Sequence, residues 1–228
     1  MEFQGPAVRD LSNVYALNLS FLRLLGDQDQ LRVREQPATC ALLGKLIALD
    51  SRRSDRLAQC PFLLFALPES EDWRWERLFD TEVQADLIDT LDGSPAPIAR
   101  LAAASLGFLW ELAKRNPYAA RLVSGASLSW CEQLADSSPV RLFQFAASER
   151  NLLTPRLATR TEFWAKLLSA GSGEDQEIRH AAQLCALQTV LTRQRSDRYR
   201  QLQSAACSMP TAKMRVADRR ARPPADKL

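Results

Sequence analysis

The chain repeats one apolar pattern at an interval of almost ninety residues. Residues 18–29 read NLSFLRLLGDQD and residues 105–116 read SLGFLWELAKRN. In each, a polar residue is followed by leucine, a small residue, phenylalanine and leucine. Two unrelated stretches can share the apolar positions of a single amphipathic helix by chance. They rarely keep the same spacing over several successive elements.

The register persists across most of the chain. The paired positions are 87 apart at Leu19/Leu106, Phe21/Phe108, Leu22/Leu109 and Leu25/Leu112, 88 apart at Leu46/Leu134, Leu57/Phe145, Ala58/Ala146, Leu64/Leu152 and Phe65/Leu153, and 89 apart at Trp75/Trp164, Leu78/Leu167 and Phe79/Leu168. The spacing grows by one residue twice, each time in a predicted loop, where insertions are tolerated. The pattern predicts an internal duplication in which Phe21, Leu22, Phe108 and Leu109 belong to the core. A generic helical repeat array remains the alternative.

The secondary-structure signals are almost entirely helical. Apolar residues recur every three or four positions in YALNLSFLRLL from Tyr15. The stretch PAPIARLAAASLGFLWELAKRNP, residues 95–117, opens with proline and closes with Asn-Pro, as a helix start and stop do. Ser127 and Ser138 are placed as N-caps, the second before Pro139. Only PFLLFAL, residues 61–67, is equally compatible with a helix or a strand. The predicted fold class is all-α.

The sequence carries no positive evidence for catalysis. The single histidine, His180, falls in a helical pattern, and the five cysteines (Cys40, Cys60, Cys131, Cys185 and Cys207) have no metal-ligand spacing. Reduced cysteines that pack as small apolar side chains are expected. No phosphate-binding, dinucleotide-binding, zinc-protease or nucleophile-elbow motif is present. We therefore predict no enzymatic activity, no catalytic residue, no cofactor and no metal site, and the lack of a leader or spanning segment predicts a cytoplasmic location without membrane contact.

The repeated unit resembles FlhD, a subunit of the bacterial flagellar master regulator. LNLSFLRLL (17–25) is similar to the first helix of that family, and SGASLSWCEQLADSSPVRLFQFAASERNLL (124–153) is similar to its middle. EDQEIRHAAQLCALQTVL (174–191) resembles its last helix. Taken twice, the resemblance covers residues 11–195 and implies two tandem FlhD-like units, 1–94 and 95–195, with a tail at 196–228. Phe65 and Thr154 stand near the place where the family has a cysteine.

The resemblance implies a function in transcription. FlhD-type proteins dimerise and act with FlhC to activate genes, and similar pairs switch on transfer genes of integrating conjugative elements. It therefore implies a transcriptional activator subunit whose partners are an FlhC-like regulator, promoter DNA reached directly or through that regulator, and RNA polymerase. A tandem chain would supply both halves of the dimer covalently. A helical adaptor that binds another protein without nucleic acid is the alternative class.

The charge distribution points to one region for DNA contact. Residues 192–228 hold ten basic and three acidic residues, a net charge of +7, against +3 for the whole chain, which leaves −4 for residues 1–191. The segment after the last helix is predicted to be flexible. Arginine suits forked contacts to phosphate or guanine. The candidate DNA-binding residues are Arg193, Arg195, Arg198, Arg200, Arg215, Arg219, Arg220 and Arg222. The alternative is a tail that is simply solvated or that docks on an acidic protein.

Overall fold

The computed structural model describes residues 5–26, 37–67, 69, 75, 97–149 and 152–207, with the backbone alone described for 26, 37–39 and 193–207. By internal contacts the chain divides into two units, Met1–Gln194 and Arg195–Leu228. The predicted boundary between the FlhD-like units, at residues 94 and 95, lies outside the described residues. The predicted tail, 196–228, is helical as far as residue 207, and 208–228 lie outside the described residues.

The described secondary structure is helical apart from one small strand pair. The helices are α1 (Val8–Gly26), α2 (Pro37–Ile47), α3 (Ser51–Ala58), α4 (Pro97–Arg115), α5 (Pro117–Ser124), α6 (Leu128–Asp136), α7 (Pro139–Ser148), α8 (Thr161–Lys166) and α9 (Gln176–Cys207); a π-helical turn, Leu167–Gly171, follows α8 directly. Strands β1 (Phe65–Ala66) and β2 (Thr154–Pro155) pair antiparallel, with Phe65 opposite Pro155. The all-α prediction is confirmed, and the ambiguous segment PFLLFAL contains a two-residue strand. No helix among the described residues combines the length and apolarity needed to cross a membrane.

Local capping explains where several helices begin. The Ser127 hydroxyl accepts a hydrogen bond from the Trp130 N–H at 3.0 Å, as its predicted N-cap role requires. Asn116 caps α5 in the same way through the Ala119 N–H, with Pro117 in the first turn. Ser138 occupies the N-cap of α7 before Pro139, without a side-chain cap bond. These caps separate α4 from the three short helices α5, α6 and α7, which can turn back on one another.

The core joins residues from both predicted FlhD-like units. Helix α1 contacts α2 and α3, helix α4 contacts α5, α6 and α7, and α1 and α4 contact each other. The repeat positions that are buried are Phe21, Leu22, Leu25, Leu46, Leu57, Ala58, Leu64, Phe65, Trp75, Leu106, Leu109, Leu112, Leu134, Phe145, Ala146, Leu152, Leu153, Trp164 and Leu167. Leu78 and Phe79 lie outside the described residues. The predicted apolar stripe of each unit therefore faces this shared core.

Two expectations about burial need correction. Phe108 packs against the core but is only half-buried, because it lies at the edge of the α4 face on which Leu101 and Leu109 are buried. Cys40 and Cys185 are exposed, so they do not pack as core side chains, whereas Cys60 and Cys131 are buried free thiols. Burial raises the pKa of the Cys131 thiol to about 12, which keeps it protonated.

An ion pair between a buried carboxylate and a partly exposed arginine ties α1 to α4. The Asp10 carboxylate is 2% exposed and accepts hydrogen bonds from the Ala7 N–H at 3.0 Å and from Arg115 Nη2 at 2.8 Å. Burial alone would raise the pKa of Asp10, but the bonds from Arg115 and Ala7 outweigh it and hold the pKa below the ordinary value.

We therefore expect Asp10 to make stability depend on pH. A lowered pKa in the folded state means that its contribution is complete above the ordinary value of 3.8 and is lost as the pH falls through the lowered value. Asp10→Asn should cost about 1–3 kcal/mol at neutral pH and should flatten the acid limb of the stability curve. Urea denaturation at a series of pH values measures both; an acid limb as steep as that of the unmodified protein would contradict this role.

Candidate functional site

The structure describes part of the predicted DNA-binding set. Arg193, Arg195, Arg198 and Arg200 belong to helix α9. The other four, Arg215, Arg219, Arg220 and Arg222, lie outside the described residues. The helical pattern predicted for the last segment is thus present as far as Cys207.

His180 is an exposed residue in the first turns of α9, consistent with its interpretation as a helix-face position. Within the described ranges, no group of three or more His, Cys, Asp or Glu side chains is arranged to hold a metal ion.

The segment from Cys60 to Leu67 is where the two predicted FlhD-like units meet. Asn18, fully buried on α1, donates from Nδ2 to the carbonyl oxygens of Ala58 at 3.1 Å and Phe62 at 2.9 Å. Its Oδ1 accepts from the Leu64 N–H at 2.8 Å. This buried loop has little regular secondary structure to satisfy its backbone polar groups. The Asn18 side chain does so instead, bonding two carbonyl oxygens and one N–H. Asn18 fixes this segment from within the first unit.

Residues of the second unit hold the same segment from the other side. The Leu63 N–H donates to the Val123 carbonyl at 2.9 Å, and the Arg156 N–H donates to the Leu64 carbonyl at 2.8 Å. The Arg156 side chain, 5% exposed, donates from Nε to the Leu63 carbonyl at 2.7 Å and from Nη2 to the Phe65 carbonyl at 2.6 Å. Arg156 Nη2 also lies 3.4 Å from Glu69 Oε1. This buried guanidinium therefore links residues of the two predicted units.

Trp75 and the helix that carries Trp164 each contact the opposite predicted unit. The ring of Trp75 packs edge-on against Trp130 of α6 at a centroid distance of 5.0 Å. It also packs, tilted by 44°, against Phe145 of α7 at 5.2 Å. Trp164 lies on α8, which contacts α2 of the first unit, and its Nε1 donates to the Arg156 carbonyl at 2.7 Å. Its neighbour Phe163 approaches Phe62 at 6.4 Å between ring centroids. Each unit thus lends a tryptophan-bearing segment to the other.

A groove of ≈ 530 Å³ runs between α8 and α9. Exposed charged residues of both signs line it, namely Arg160, Glu162 and Lys166, together with Cys185. The mixture favours neither an anionic nor a cationic ligand, and the groove gives no indication of ligand chemistry.

One exposed surface of the second unit is apolar. On α7, Val140 is 47% exposed and Phe143 is 44% exposed. Phe143 packs over Gly107 of α4, where a Cβ would lie 3.6 Å from the ring. Half-buried Trp110, one turn further along α4, donates from Nε1 to the Ser137 carbonyl at 2.8 Å. We call this the α4–α7 surface: Ala104, Gly107, Trp110, Val140, Phe143 and Ala147.

Neither the crosslink nor the α4–α7 surface is among the residues predicted for function. Asn18 could have been singled out from the sequence, since it is an amide within an otherwise apolar helix stripe. Val140 and Phe143 carried a partial one, because their three-residue spacing on α7 is offset from the buried face of Leu142, Phe145 and Ala146. Nothing in the sequence singled out Arg156, because its hydrogen-bond partners come from a segment about ninety residues earlier in the chain.

Comparison with known proteins adds no relative: no family model matches the chain, and neither the curated proteins nor the solved structures gave a significant match.

Proposed function

We propose that the chain is a single-chain counterpart of an FlhD-type dimer and serves as a transcriptional activator subunit. The observation that carries the proposal is the reciprocal contact between the two units, in which β1 pairs with β2 and each unit lends a tryptophan-bearing segment to the other. Symmetric dimers make such reciprocal contacts between identical surfaces. A tandem duplication, with units 1–94 and 95–195, would place the same contacts within one chain.

The order of elements supports the duplication. Helices α1, α2 and α3, strand β1 and helical Trp75 follow one another in the first unit, as do α4, α6, α7, β2 and α8 with Trp164 in the second. Helix α5 has no counterpart among the described residues, since the corresponding part of the first unit falls within 27–36. Covalent linkage raises the effective concentration of the second unit and removes the need for assembly from two chains.

In this proposal the helical body binds an FlhC-like regulator, and promoter DNA is reached through the basic segment, through that regulator, or through both. The target genes are bacterial genes of the flagellar or conjugative-transfer kind, with RNA polymerase as a further contact of the complex. The chain itself has no catalytic role.

Co-expression with an FlhC-like protein, followed by pull-down with and without promoter DNA, tests the proposal directly. Failure to bind any such regulator under conditions where the chain is folded would reject it.

Deleting residues 196–228 separates DNA binding from partner binding. The truncated chain should fold, because the buried side chains in the described part of α9, Gln183, Ala186 and Val190, precede the deletion. Promoter affinity should fall, and its dependence on salt should become less steep by roughly one unit of log–log slope for each phosphate that is no longer neutralised. Fluorescence anisotropy with labelled promoter DNA over a range of salt concentrations measures both.

Two arginine-to-glutamine sets locate the DNA-binding residues more closely. One set changes Arg193, Arg195, Arg198 and Arg200 on α9, and the matched set changes Arg215, Arg219, Arg220 and Arg222. Each removes four charges without shortening the chain. An unchanged salt slope in both sets and in the deletion would assign DNA recognition to the partner alone.

A helical adaptor that binds no nucleic acid is the second candidate, and the exposed α4–α7 surface favours it. Contiguous exposed apolar side chains commonly mark protein–protein interfaces. Partner binding by the full chain without any promoter binding would support the adaptor.

A further inference from the structure

We infer that the outward face of α9 is a self-association surface, on which α9 of a second copy of this chain packs in the antiparallel direction. The inference does not depend on the proposed role in transcription, because it is argued from the residues of α9 alone. It adds a contact between two whole chains to the contacts that join the two predicted units within one chain.

Helix α9 packs on the rest of the chain by one side only. Among its described side chains, the buried ones are Gln183, Ala186 and Val190, which recur at three- and four-residue spacing on one face. Two large apolar side chains of the same helix point away from that face, with Leu184 48% exposed and Ile178 58% exposed. Apolar side chains outside the buried stripe of a helix indicate a second packing surface.

The outward positions follow the spacing of a coiled-coil interface. Six of them succeed one another at alternating intervals of four and three residues: Glu177, Ala181, Leu184, Gln188, Leu191 and Arg195. The first four are exposed and Leu191 is half-buried. Arg195 follows at the next interval in the sequence of the same helix, Gln176–Cys207. We call these six positions the α9 stripe.

The charges of the α9 stripe match when the stripe is reversed. An antiparallel pair centred at the level of Ala186 places Glu177 of each copy opposite Arg195 of the other. The next positions outward, Glu174 just before the helix and Arg198, are also opposite in charge. A parallel pair would instead place like charges together at both ends. Electrostatic complementarity therefore selects the antiparallel direction.

The middle of the α9 stripe is mostly apolar in the same register. Ala181 lies opposite Leu191 of the second copy, and Leu184 lies opposite Gln188. A two-fold axis repeats each of these contacts, as an interface between identical surfaces requires. The pairing would cover Leu184, which a single copy leaves in solvent.

The other charged side chains near the α9 stripe carry both signs. They are Arg179 and His180 on α9, with Arg160, Glu162 and Lys166 in the groove between α8 and α9. Arg179 is turned toward its own chain, where its Nη1 donates to the Gly173 carbonyl at 2.9 Å. Glu174 lies 3.6 Å from Arg56, but its side chain is 88% exposed. The charge matching is therefore set by Glu177 and Arg195, at the two ends of the stripe.

The test is the mass of the full chain in solution, measured by light scattering and sedimentation over a range of concentrations. A dimer is expected, with twice the 25.6 kDa mass of the chain. Leu184→Glu should weaken the dimer at least about tenfold, as for central interface residues. The matched control, Val140→Ser with Phe143→Ser, changes exposed apolar residues of α7 and should leave the dimer intact. Circular dichroism checks that each variant is folded.

A charge exchange tests the direction of pairing. Glu177→Arg alone and Arg195→Glu alone should each weaken the dimer, because like charges then face each other. The chain that carries both substitutions should dimerise as the unmodified chain does, and an equimolar mixture of the two single variants should also form dimers. A loss of folding would not give this pattern, since neither the second substitution nor mixing would restore a misfolded chain.

Cys185 allows a direct measurement of the register. It is exposed, and it adjoins the level of Ala186, so the two copies of Cys185 flank the two-fold axis. In a chain with Cys40→Ser and Cys207→Ser, a short bismaleimide should join two copies covalently. Cys185→Ser in the same chain should abolish the product. Failure of the dimer to crosslink through Cys185 would contradict the register.

Three outcomes would overturn the inference. The first is a chain that stays at 25.6 kDa at every concentration. The second is a dimer that neither Leu184→Glu nor the single charge variants weaken. The third is a dimer that only Val140→Ser with Phe143→Ser disrupts, which would place the interface on the α4–α7 surface. Deleting residues 196–228 keeps the whole α9 stripe, so the dimer should persist even where promoter binding is lost, and the two proposals fail separately.

Discussion

Replacing Arg156 with methionine is expected to lower the free energy of unfolding by about 3–5 kcal/mol, the range for removing one partner of a buried ion pair. Methionine preserves much of the side-chain volume but none of the donors. The carbonyl oxygens of Leu63 and Phe65 would lose their bonds to the guanidinium, and Glu69 would lose its buried cation. The measurement is urea denaturation followed by circular dichroism.

The control for Arg156 is Glu69→Gln, which keeps the guanidinium and its two bonds to carbonyl oxygens. Its effect should be clearly smaller, because an amide oxygen still accepts from Arg156 and no charge is left buried without hydrogen bonds. A change below about 1 kcal/mol for Arg156→Met would show that the crosslink between the units contributes little to stability.

Asn18→Ala is expected to cost about 2–4 kcal/mol, because a fully buried amide that bonds a loop at several points leaves unsatisfied groups when it is removed. The carbonyls of Ala58 and Phe62 and the Leu64 N–H would each lose a hydrogen bond. The second unit offers a matched control in Ser105, which occupies the repeat position of Asn18 and is also fully buried. The Ser105 hydroxyl donates within its own helix, to the Leu101 carbonyl at 2.7 Å.

Ser105→Ala should therefore cost less than about 1 kcal/mol, since the Leu101 carbonyl can remain within the helical ladder. Equal destabilisation at Asn18 and Ser105 would mean that the segment from Cys60 to Leu67 is held mainly by packing. The same denaturation experiment, run on both variants, distinguishes the two cases.

Helix placement was predictable because its causes are local. The apolar spacing in α1 and α4, the N-caps Ser127 and Ser138, and the Asn-Pro that ends α4 all act within a few residues of one another. The burial of Phe21, Leu22 and Leu109 follows from the same spacing. Phe108 departs from it, because a position at the edge of a stripe is buried only if a neighbouring helix covers it.

The candidate functional residues were less predictable. The arginines of residues 193–222 stand out by composition, and their role in DNA contact stays a prediction. The α4–α7 surface could be anticipated only in part. Val140 and Phe143 are offset from the buried face of α7, but the packing of α7 on α4 decides whether another helix covers them.

The sequence by itself determined the helical class, several helix boundaries and the repeated set of apolar positions, since these depend on propensity, capping and periodicity over short distances. Only the tertiary structure decided which unit each repeated element packs against. Trp75 could have packed within its own unit or against Trp130 and Phe145, because both choices bury a similar apolar ring in the same kind of core. The choice depends on directional interactions between distant residues, above all the hydrogen bonds from Arg156 to the carbonyl oxygens of Leu63 and Phe65. Such interactions produce no periodic pattern in the sequence.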